Sequence, residues 1–402
     1  MSATPQFLFA TCQVQAEPVL KREIRRKWPS FRFAYSRPGF LTFKLPDPCP
    51  LKVDSDLGSL FARSWGFSLG KATGETVEER LAKTWELANE LPGDIAAIHV
   101  WERDRYSPGY RDYEPGISTL AMQTAEQVRA ARPTPLSLIP VLPDLIVKTP
   151  PVAEESAEAT KTKQSPAAKK AAAGAAARGI HILGNQLAPG VMVLDIVIVE
   201  PGEWWIGYHM ARGIESSWPG GLMPAELPPH AVSRGYLKMS EALLWSGLPV
   251  AAGETCVDLG SSPGGAAQAL LDRGLRVIGV DPAEMHPDVL AHPNFVHERK
   301  RSKEVKRRLY FDAKWVTTDI NLPPNYTLDT LEGILEHPSV KLKGLLFTLK
   351  LPDWELVKEI PEYLARVREW GFPTVRARQL QHNRQEICVT AYGLQTKTRA
   401  VE

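Results

Sequence analysis

The sequence lacks the features that mark secreted and membrane proteins. Its 402 residues include four cysteines, Cys12, Cys49, Cys256 and Cys388, which are scattered without metal-ligand spacing. No run of about 18 apolar residues occurs, and residues 1–11 have no basic stretch that leads into an apolar one. We therefore expect no disulfide framework, no membrane span, no signal peptide and no bound metal, and we expect a reduced, cytoplasmic protein.

An excess of charge of one sign is also missing. The net charge is +2, so overall charge does not indicate a nucleic-acid-binding protein. Two local clusters are basic: Lys21, Arg22, Arg25, Arg26 and Lys27, and then Arg299, Lys300, Arg301, Lys303, Lys306, Arg307 and Arg308. Such runs are commonly solvated surface, and whether either one contacts phosphate stays open at this point.

Composition divides the chain. Residues 147–179 are rich in Ala, Lys, Pro, Glu and Ser without an aromatic residue, which predicts a flexible insert that builds no core. Residues 1–146 and 180–210 predict one α+β region, which the insert interrupts, and residues 211–398 predict a second unit. Trp204, Trp205 and Tyr208 could stack on bases, but aromatic residues in a strand more often belong to a core.

The second half contains a strand, a glycine-rich turn, a helix, another strand and an acid in that order. The first strand is Thr255–Leu259, the turn reads GSSPGG over residues 260–265, and the strand Arg276–Val280 ends at Asp281. Glycines let a backbone approach a ligand, and such an acid can bind both hydroxyls of an adenosine ribose. The turn lacks GxGxxG and has Pro263 where a phosphate would need N–H donors. A sulfonium cofactor therefore fits better than a dinucleotide.

Four charged residues stand near the ends of elements around this unit: Lys238, Asp319, Lys350 and Glu386. Asp319 and Lys350 follow predicted strands, and strand ends line the ligand crevice of an open parallel sheet. Each residue alone is explained by an ordinary strand end, whereas the four together predict a catalytic set.

This set suits methyl transfer to a ribose hydroxyl. A hydroxyl is a poor nucleophile, so a base must take its proton as the new bond forms. A free lysine, with a pKa of about 10.4, can act as that base only if another cation and partial burial lower its pKa. We predict Lys350 as the base, Lys238 and Asp319 as the residues that tune and align it, and Glu386 as a brace.

These motifs resemble the RlmM family, bacterial methyltransferases that modify a cytidine ribose in 23S rRNA. The resemblance covers about residues 210–392, and its motifs are SRGYLKMSEA (233–242), VDLGSSPGG (257–265), VDPAEM (280–285), WVTTDI (315–320), FTLKLP (347–352) and LQHNRQEICV (380–389). FATCQVQAEPVLKREI (9–24) is similar to the family's opening, but more loosely. The FtsJ-like ribose methyltransferases share the Lys-Asp-Lys-Glu arrangement.

The resemblance implies a Rossmann-like methyltransferase domain with a mostly parallel sheet, preceded by an α+β, THUMP-like RNA-binding region. It implies S-adenosylmethionine as the cofactor and RNA as the partner, either 23S rRNA or a pre-ribosomal particle. The implied cofactor contacts are Ser233, Ser262, Pro263, Gly264, Gly265, Asp281 and Asp319, and Asp258 and Gly260 of the same loop belong with them.

Other functions remain open from the sequence. A base or small-molecule methyltransferase would use a motif of the Asn-Pro-Pro type, which residues 319–326 imitate only loosely because Leu322 separates Asn321 from Pro323. A non-catalytic RNA-binding or ribosome-assembly factor would need neither the intact loop nor the four charged residues. A dinucleotide oxidoreductase would leave the four charged residues without a role.

Overall fold

The computed structural model describes residues 5–91, 93–133, 187–224 and 227–393. The predicted insert at 147–179 lies outside the described residues. Two seven-stranded sheets form the described part of the chain, one from residues 7–210 and the other from residues 255–392.

The first sheet is mixed and mostly antiparallel. Its elements in chain order are β1 (Phe7–Thr11), α1 (Glu17–Lys27), β2 (Arg32–Arg37), β3 (Phe40–Lys44), β4 (Ser64–Thr73), α2 (Val77–Ala88), β5 (Ile95–Glu102), α3 (Thr119–Ala130), β6 (Met192–Glu200) and β7 (Glu203–Met210). The strand order is β2-β3-β1-β4-β7-β6-β5, with β5 and β6 parallel. The predicted α+β character is confirmed, whereas the THUMP-like assignment stays a prediction.

Local sequence explains most of these elements. In α2 the Thr76 hydroxyl accepts the Glu79 N–H, and the Glu79 carboxylate accepts the Thr76 N–H, which closes a capping box. Trp204, Trp205 and Tyr208 are buried, so the core interpretation of these aromatics is correct. The sequence did not predict β2, an edge strand whose side chains are mostly exposed, or β4, which contains two glycines.

The second sheet is mostly parallel, as predicted. Its elements are α4 (Gly235–Ser246), β8 (Thr255–Leu259), α5 (Gly265–Leu271), β9 (Arg276–Val280), α6 (Pro287–Leu290), β10 (Phe295–Glu298), β11 (Ala313–Thr318), α7 (Pro324–Leu335), β12 (Gly344–Lys350), α8 (Ile360–Glu369), β13 (Thr374–Arg378) and β14 (Glu386–Tyr392). The order is β10-β9-β8-β11-β12-β14-β13, and β14 runs antiparallel to both of its neighbours, β12 and β13. All five residues of β8 are buried, as is typical of a central parallel strand.

The two sheets are joined through side chains that converge near the predicted site. The Gln13 amide donates to the Leu380 carbonyl at 2.9 Å. Glu114 accepts from both Arg234 and His382, and the rings of Phe61 and Trp354 pack edge to face with centroids 6.1 Å apart. The loop between β5 and α3, which contains Glu114, therefore lies against the segments that precede α4 and β14.

Candidate active site

The turn between β8 and α5 requires glycine at three positions. Gly260 and Gly264 have φ values of +76° and +120°, which side chains rarely adopt. At Gly265 a Cβ atom would overlap the Ser233 Oγ and would lie 2.8 Å from the Ser233 carbonyl oxygen. The absence of a side chain here lets the turn pack against Ser233, so the structure brings these predicted residues together.

Asp281 closes the same cradle from the end of β9. One of its carboxylate oxygens accepts the Ser262 N–H at 3.1 Å, and the other accepts the Ala283 N–H at 2.8 Å. Pro263 is exposed, and its carbonyl accepts the His286 N–H at 3.0 Å. Each Asp281 oxygen keeps a lone pair for a further donor.

Asp258 lies buried beneath the turn. Its Oδ1 accepts from the Thr317 hydroxyl at 2.8 Å. Burial raises the pKa of Asp258 to about 6, and this effect outweighs the hydrogen bonds that stabilise its ionised form. The Ser261 hydroxyl interacts with the same carboxylate and, with the Thr317 hydroxyl, favours its ionised form.

Glu298 is an acid near the cradle that the sequence analysis missed. It ends β10, next to β9, and its carbonyl accepts the Asp281 N–H at 3.3 Å. In the sequence Glu298 directly precedes the basic run that begins at Arg299. Its acidic side chain therefore did not stand out among these basic residues.

The four predicted catalytic residues lie in mutual contact at one edge of the sheet. Lys238 Nζ lies 3.1 Å from Asp319 Oδ2 and 2.5 Å from Glu386 Oε1. Lys350 Nζ lies 2.6 Å from Asp319 Oδ1 and also contacts Glu386 Oε2. Each lysine therefore bridges both carboxylates, and each carboxylate bridges both lysines.

The backbone explains this convergence. Asp319 and Lys350 stand at the carboxyl ends of the neighbouring strands β11 and β12. Because β14 is antiparallel to β12, its first residue, Glu386, is the direct cross-strand partner of Lys350. Lys238 reaches the group from the first turns of α4.

Charge and burial set the protonation of the group. Burial alone would raise the pKa of Asp319, but Lys238 and Lys350 lower it. Burial alone would lower the pKa of Lys238, but Asp319 and Glu386 raise it. The Glu386 side chain is 4% exposed and that of Asp319 is 30% exposed. Asp319 is therefore the carboxylate that faces the crevice.

Supporting residues around the group were not found from the sequence. The Thr348 hydroxyl donates to Asp319 at 2.6 Å, and the Asn383 amide donates to Glu386 at 3.2 Å. The buried Glu241 carboxylate accepts the backbone N–H groups of Gln381 and His382 at 2.6 and 2.9 Å. All three residues lie in motifs of the sequence: Glu241 in 233–242, Thr348 in 347–352 and Asn383 in 380–389. Their roles were missed because their contacts join segments that are distant in the chain.

Asn321, the residue of the loose base-methylation motif, is exposed and follows β11 outside this group. The seven basic residues between Arg299 and Arg308 are all exposed. Among the residues that the structure describes, no helix has the length and apolar character needed to cross a bilayer.

Comparison with known proteins supports the same assignment. The model of the FtsJ-like methyltransferase family matches residues 231–352. Ribosomal RNA large subunit methyltransferase M of Halorhodospira halophila is 30% identical over 201 residues, which cover 48% of this chain and 56% of that protein. The protein of the same name from Xylella fastidiosa strain M12 is 31% identical over 223 residues, covering 52% and 60%. The chain thus spans less than two thirds of these relatives.

Among solved structures, TrmN from Thermus thermophilus aligns with 96% of this chain and 99% of that chain at 13% identity. Its TM-score of 0.32 supports no conclusion about shared architecture. Residues 231–352 are thus similar to the FtsJ-like methyltransferases, and about half of the chain is similar to proteins named ribosomal RNA large subunit methyltransferase M, in agreement with the resemblance of its motifs.

Proposed function

We propose that this chain transfers a methyl group from S-adenosylmethionine to a ribose 2′-hydroxyl of RNA. Its substrate would be a cytidine of 23S rRNA, either free or in a pre-ribosomal particle in the cytoplasm. The observation that carries the proposal is a cluster of two lysines and two carboxylates in which each lysine contacts both carboxylates. It consists of Lys238, Asp319, Lys350 and Glu386 and lies at the strand ends beside the glycine turn. A hydroxyl acceptor needs a base at such a position.

The turn fits the proposed cofactor by its shape and donor set. A Cβ at Gly265 would fill the space beside Ser233, and Asp281 retains lone pairs for the ribose hydroxyls. The residues that would hold the cofactor are Ser233, Asp258, Gly260, Ser262, Pro263, Gly264, Gly265, Asp281 and Asp319. When bound, S-adenosylmethionine supplies an electrophilic methyl group on a sulfonium.

The proposal gives the two lysines different roles. Asp319 and Glu386 raise the pKa of Lys238, and we assign Lys238 as the cation of the group. We assign Lys350, the direct strand partner of Glu386, as the uncharged amine that takes the proton of the 2′-hydroxyl. Asp319 and Glu386 hold the amino groups of both lysines in place, and Thr348 and Asn383 hold the carboxylates.

An aromatic surface beside the site suits an unpaired nucleotide. Tyr106 and Tyr110 are about half exposed, and their rings stack with centroids 5.7 Å apart. Their loop contacts the catalytic half because the Pro108 carbonyl accepts from Arg384 at 2.7 Å. Proteins recognise single-stranded RNA by stacking bases on such rings, so we assign this loop to the RNA around the target.

The test is transfer of labelled methyl from S-adenosylmethionine to RNA from cells that lack the protein. Wild type is compared with Lys350→Ala and with Lys341→Ala, a matched control at an exposed position on the approach to β12. We expect label in an alkali-resistant dinucleotide with wild type and the control, and a loss of at least about 100-fold with Lys350→Ala. Nuclease mapping then identifies the nucleotide.

Each other outcome contradicts part of the proposal. Label on a base rather than a ribose would favour base methylation. Cofactor binding without label on any RNA would favour a small-molecule substrate or a non-catalytic RNA-binding factor. Equal activity of Lys350→Ala and Lys341→Ala would remove Lys350 as the base.

A further inference from the structure

Three buried ligand-type side chains converge in the first sheet, far along the chain from the catalytic residues. They come from adjacent strands: His99 on β5, Asp195 on β6 and His209 on β7. His99 and Asp195 are direct strand partners, and His209 is the partner of Val193, two residues from Asp195. All three are more than nine-tenths buried.

The three groups offer their ligand atoms to one small volume. His209 Nδ1 lies 2.7 Å from Asp195 Oδ2, and His99 Nδ1 lies 3.9 Å from Asp195 Oδ1. One ligand atom from each residue lies within 4.8 Å of the other two. In a tetrahedral site with bonds of about 2.0–2.1 Å, ligand atoms lie about 3.4 Å apart. Binding an ion would therefore require the contact between His209 and Asp195 to lengthen and the other separations to shorten toward this value.

Two polar atoms of this cluster, His99 Nδ1 and Asp195 Oδ1, are buried without a hydrogen-bond partner among the described residues. His209 Nδ1 and Asp195 Oδ2 share a hydrogen bond of 2.7 Å. His209 Nε2 lies 3.1 Å from the Ser216 carbonyl, which can only accept, so Nε2 carries a proton.

A metal ion would supply the missing partners. The hydrogen bond between His209 and Asp195 leaves His99 Nδ1 and Asp195 Oδ1 buried without partners among the described residues. A divalent ion would contact all three residues at once.

We propose that His99, Asp195 and His209 bind one divalent metal ion of the zinc class, through both Nδ1 atoms and the Asp195 carboxylate. Two imidazoles and one carboxylate are a ligand set that zinc uses, with water at the remaining position. The hydrogen bond from His209 Nε2 to the Ser216 carbonyl is the outer contact that orients a metal-bound histidine. The site departs from the expectation of no metal that we drew from the sequence.

A cavity gives the ion an access route. It has a volume of about 460 Å³, lies between the two sheets and is lined by Asp195 and His209 as well as Arg212 and Trp218. Arg212 acts electrostatically on Asp195, and Arg129 acts on His99. These positive charges oppose a cation and make the affinity lower than the three ligands alone would give.

Bound metal would cross-link three adjacent strands, β7, β6 and the edge strand β5, and, through the Ser216 carbonyl, the short helical turn Ile214–Ser216 that follows β7. The site is thus structural and independent of the proposed methyl transfer. Its binding free energy would add to the stability of the first sheet, because the ligands converge only in the folded chain.

The test uses the untagged full chain after treatment with EDTA and desalting. Zn²⁺ is titrated against a chromogenic chelator, Co²⁺ is used as a spectroscopic probe, and thermal unfolding is followed with and without Zn²⁺. We compare wild type with His99→Gln, which leaves the contact between His209 and Asp195 intact. The control is His230→Gln, which removes a histidine paired with a single carboxylate, Asp272.

We expect one Zn²⁺ per chain and a higher unfolding temperature with Zn²⁺ for wild type and His230→Gln. His99→Gln should bind at least about 100-fold more weakly, since even outer partners of a metal site contribute about 10–100-fold. If His99→Gln fails to fold, Asp195→Asn replaces it, and the Co²⁺ spectrum of wild type must report imidazole ligands in four-coordinate geometry. Absence of saturable binding by wild type, or unchanged affinity in His99→Gln, would overturn the proposal and leave a proton shared between His209 and Asp195.

Discussion

The buried carboxyl of Asp258 should destabilise the folded chain at neutral pH, and Asp258→Asn should remove this effect. Burial raises the pKa of Asp258 from 3.8 to about 6. A carboxyl with a higher pKa in the folded state adds stability below its unfolded pKa, and this stability is lost as the pH rises through the folded pKa. At about 1.4 kcal/mol per pKa unit, the loss is about 3 kcal/mol at pH 7.5 and about 1.6 kcal/mol at pH 5.

The measurement is urea unfolding of wild type and Asp258→Asn at these two pH values. The quantity compared is the unfolding free energy of the variant minus that of wild type. It should be about 1.4 kcal/mol larger at pH 7.5 than at pH 5. Asp312→Asn, at an exposed carboxylate before β11, is the matched control and should give the same difference at both pH values.

The change with pH decides the outcome, because an asparagine that loses the Thr317 hydrogen bond lowers stability equally at both pH values. A difference that does not grow between pH 5 and pH 7.5 would refute the argument, since Asp258 would then titrate as an ordinary carboxyl. If Asp258→Asn is more stable than wild type but binds S-adenosylmethionine more weakly, the result would agree with a role of the Asp258 carboxyl in cofactor binding.

Three further predictions follow from contacts in the site. Gly265→Ala places a Cβ against the Ser233 Oγ and 2.8 Å from the Ser233 carbonyl oxygen, so calorimetric titration should find S-adenosylmethionine binding at least about 10-fold weaker; unchanged affinity would show that the turn yields freely. Burial alone would raise the pKa of Glu114, but hydrogen bonds led by that from His382 lower it to about 2. Glu114→Gln should therefore lower the unfolding temperature at pH 7, by an amount that shrinks below about pH 4; a loss independent of pH would indicate packing alone. Reversing the charges of residues 299–308 should weaken RNA binding most at low salt, and unchanged affinity across a salt titration would remove this run from the RNA surface.

The sequence predicted that Asp319 and Lys350 lie together because both mark the ends of buried strands. Lys350 follows an apolar run and Asp319 follows another, and parallel strands bring their carboxyl ends to one edge of the sheet. Glu386 was predicted because it begins a strand, but no local pattern shows that β14 runs antiparallel to β12, which is what pairs Glu386 with Lys350.

The remaining features depend on long-range pairing. The strand β2 carries mostly exposed side chains, so its alternation gives little apolar signal, and the glycines of β4 weaken its strand pattern. His99, Asp195 and His209 are separated by 96 and 14 positions in the chain, and only the register of β5, β6 and β7 brings them together. No spacing rule in one sequence could have predicted that cluster.

The cross-strand pairing of Lys350 with Glu386 links the proposed site to the register of the sheet. Their neighbours Leu349 and Ile387 form the next pair and are fully buried. Because side chains alternate between the faces of a sheet, a slip of one residue in β14 would turn Glu386 to the opposite face from Lys350. The register that packs Ile387 beside Leu349 is therefore also the register that places Glu386 beside Lys350.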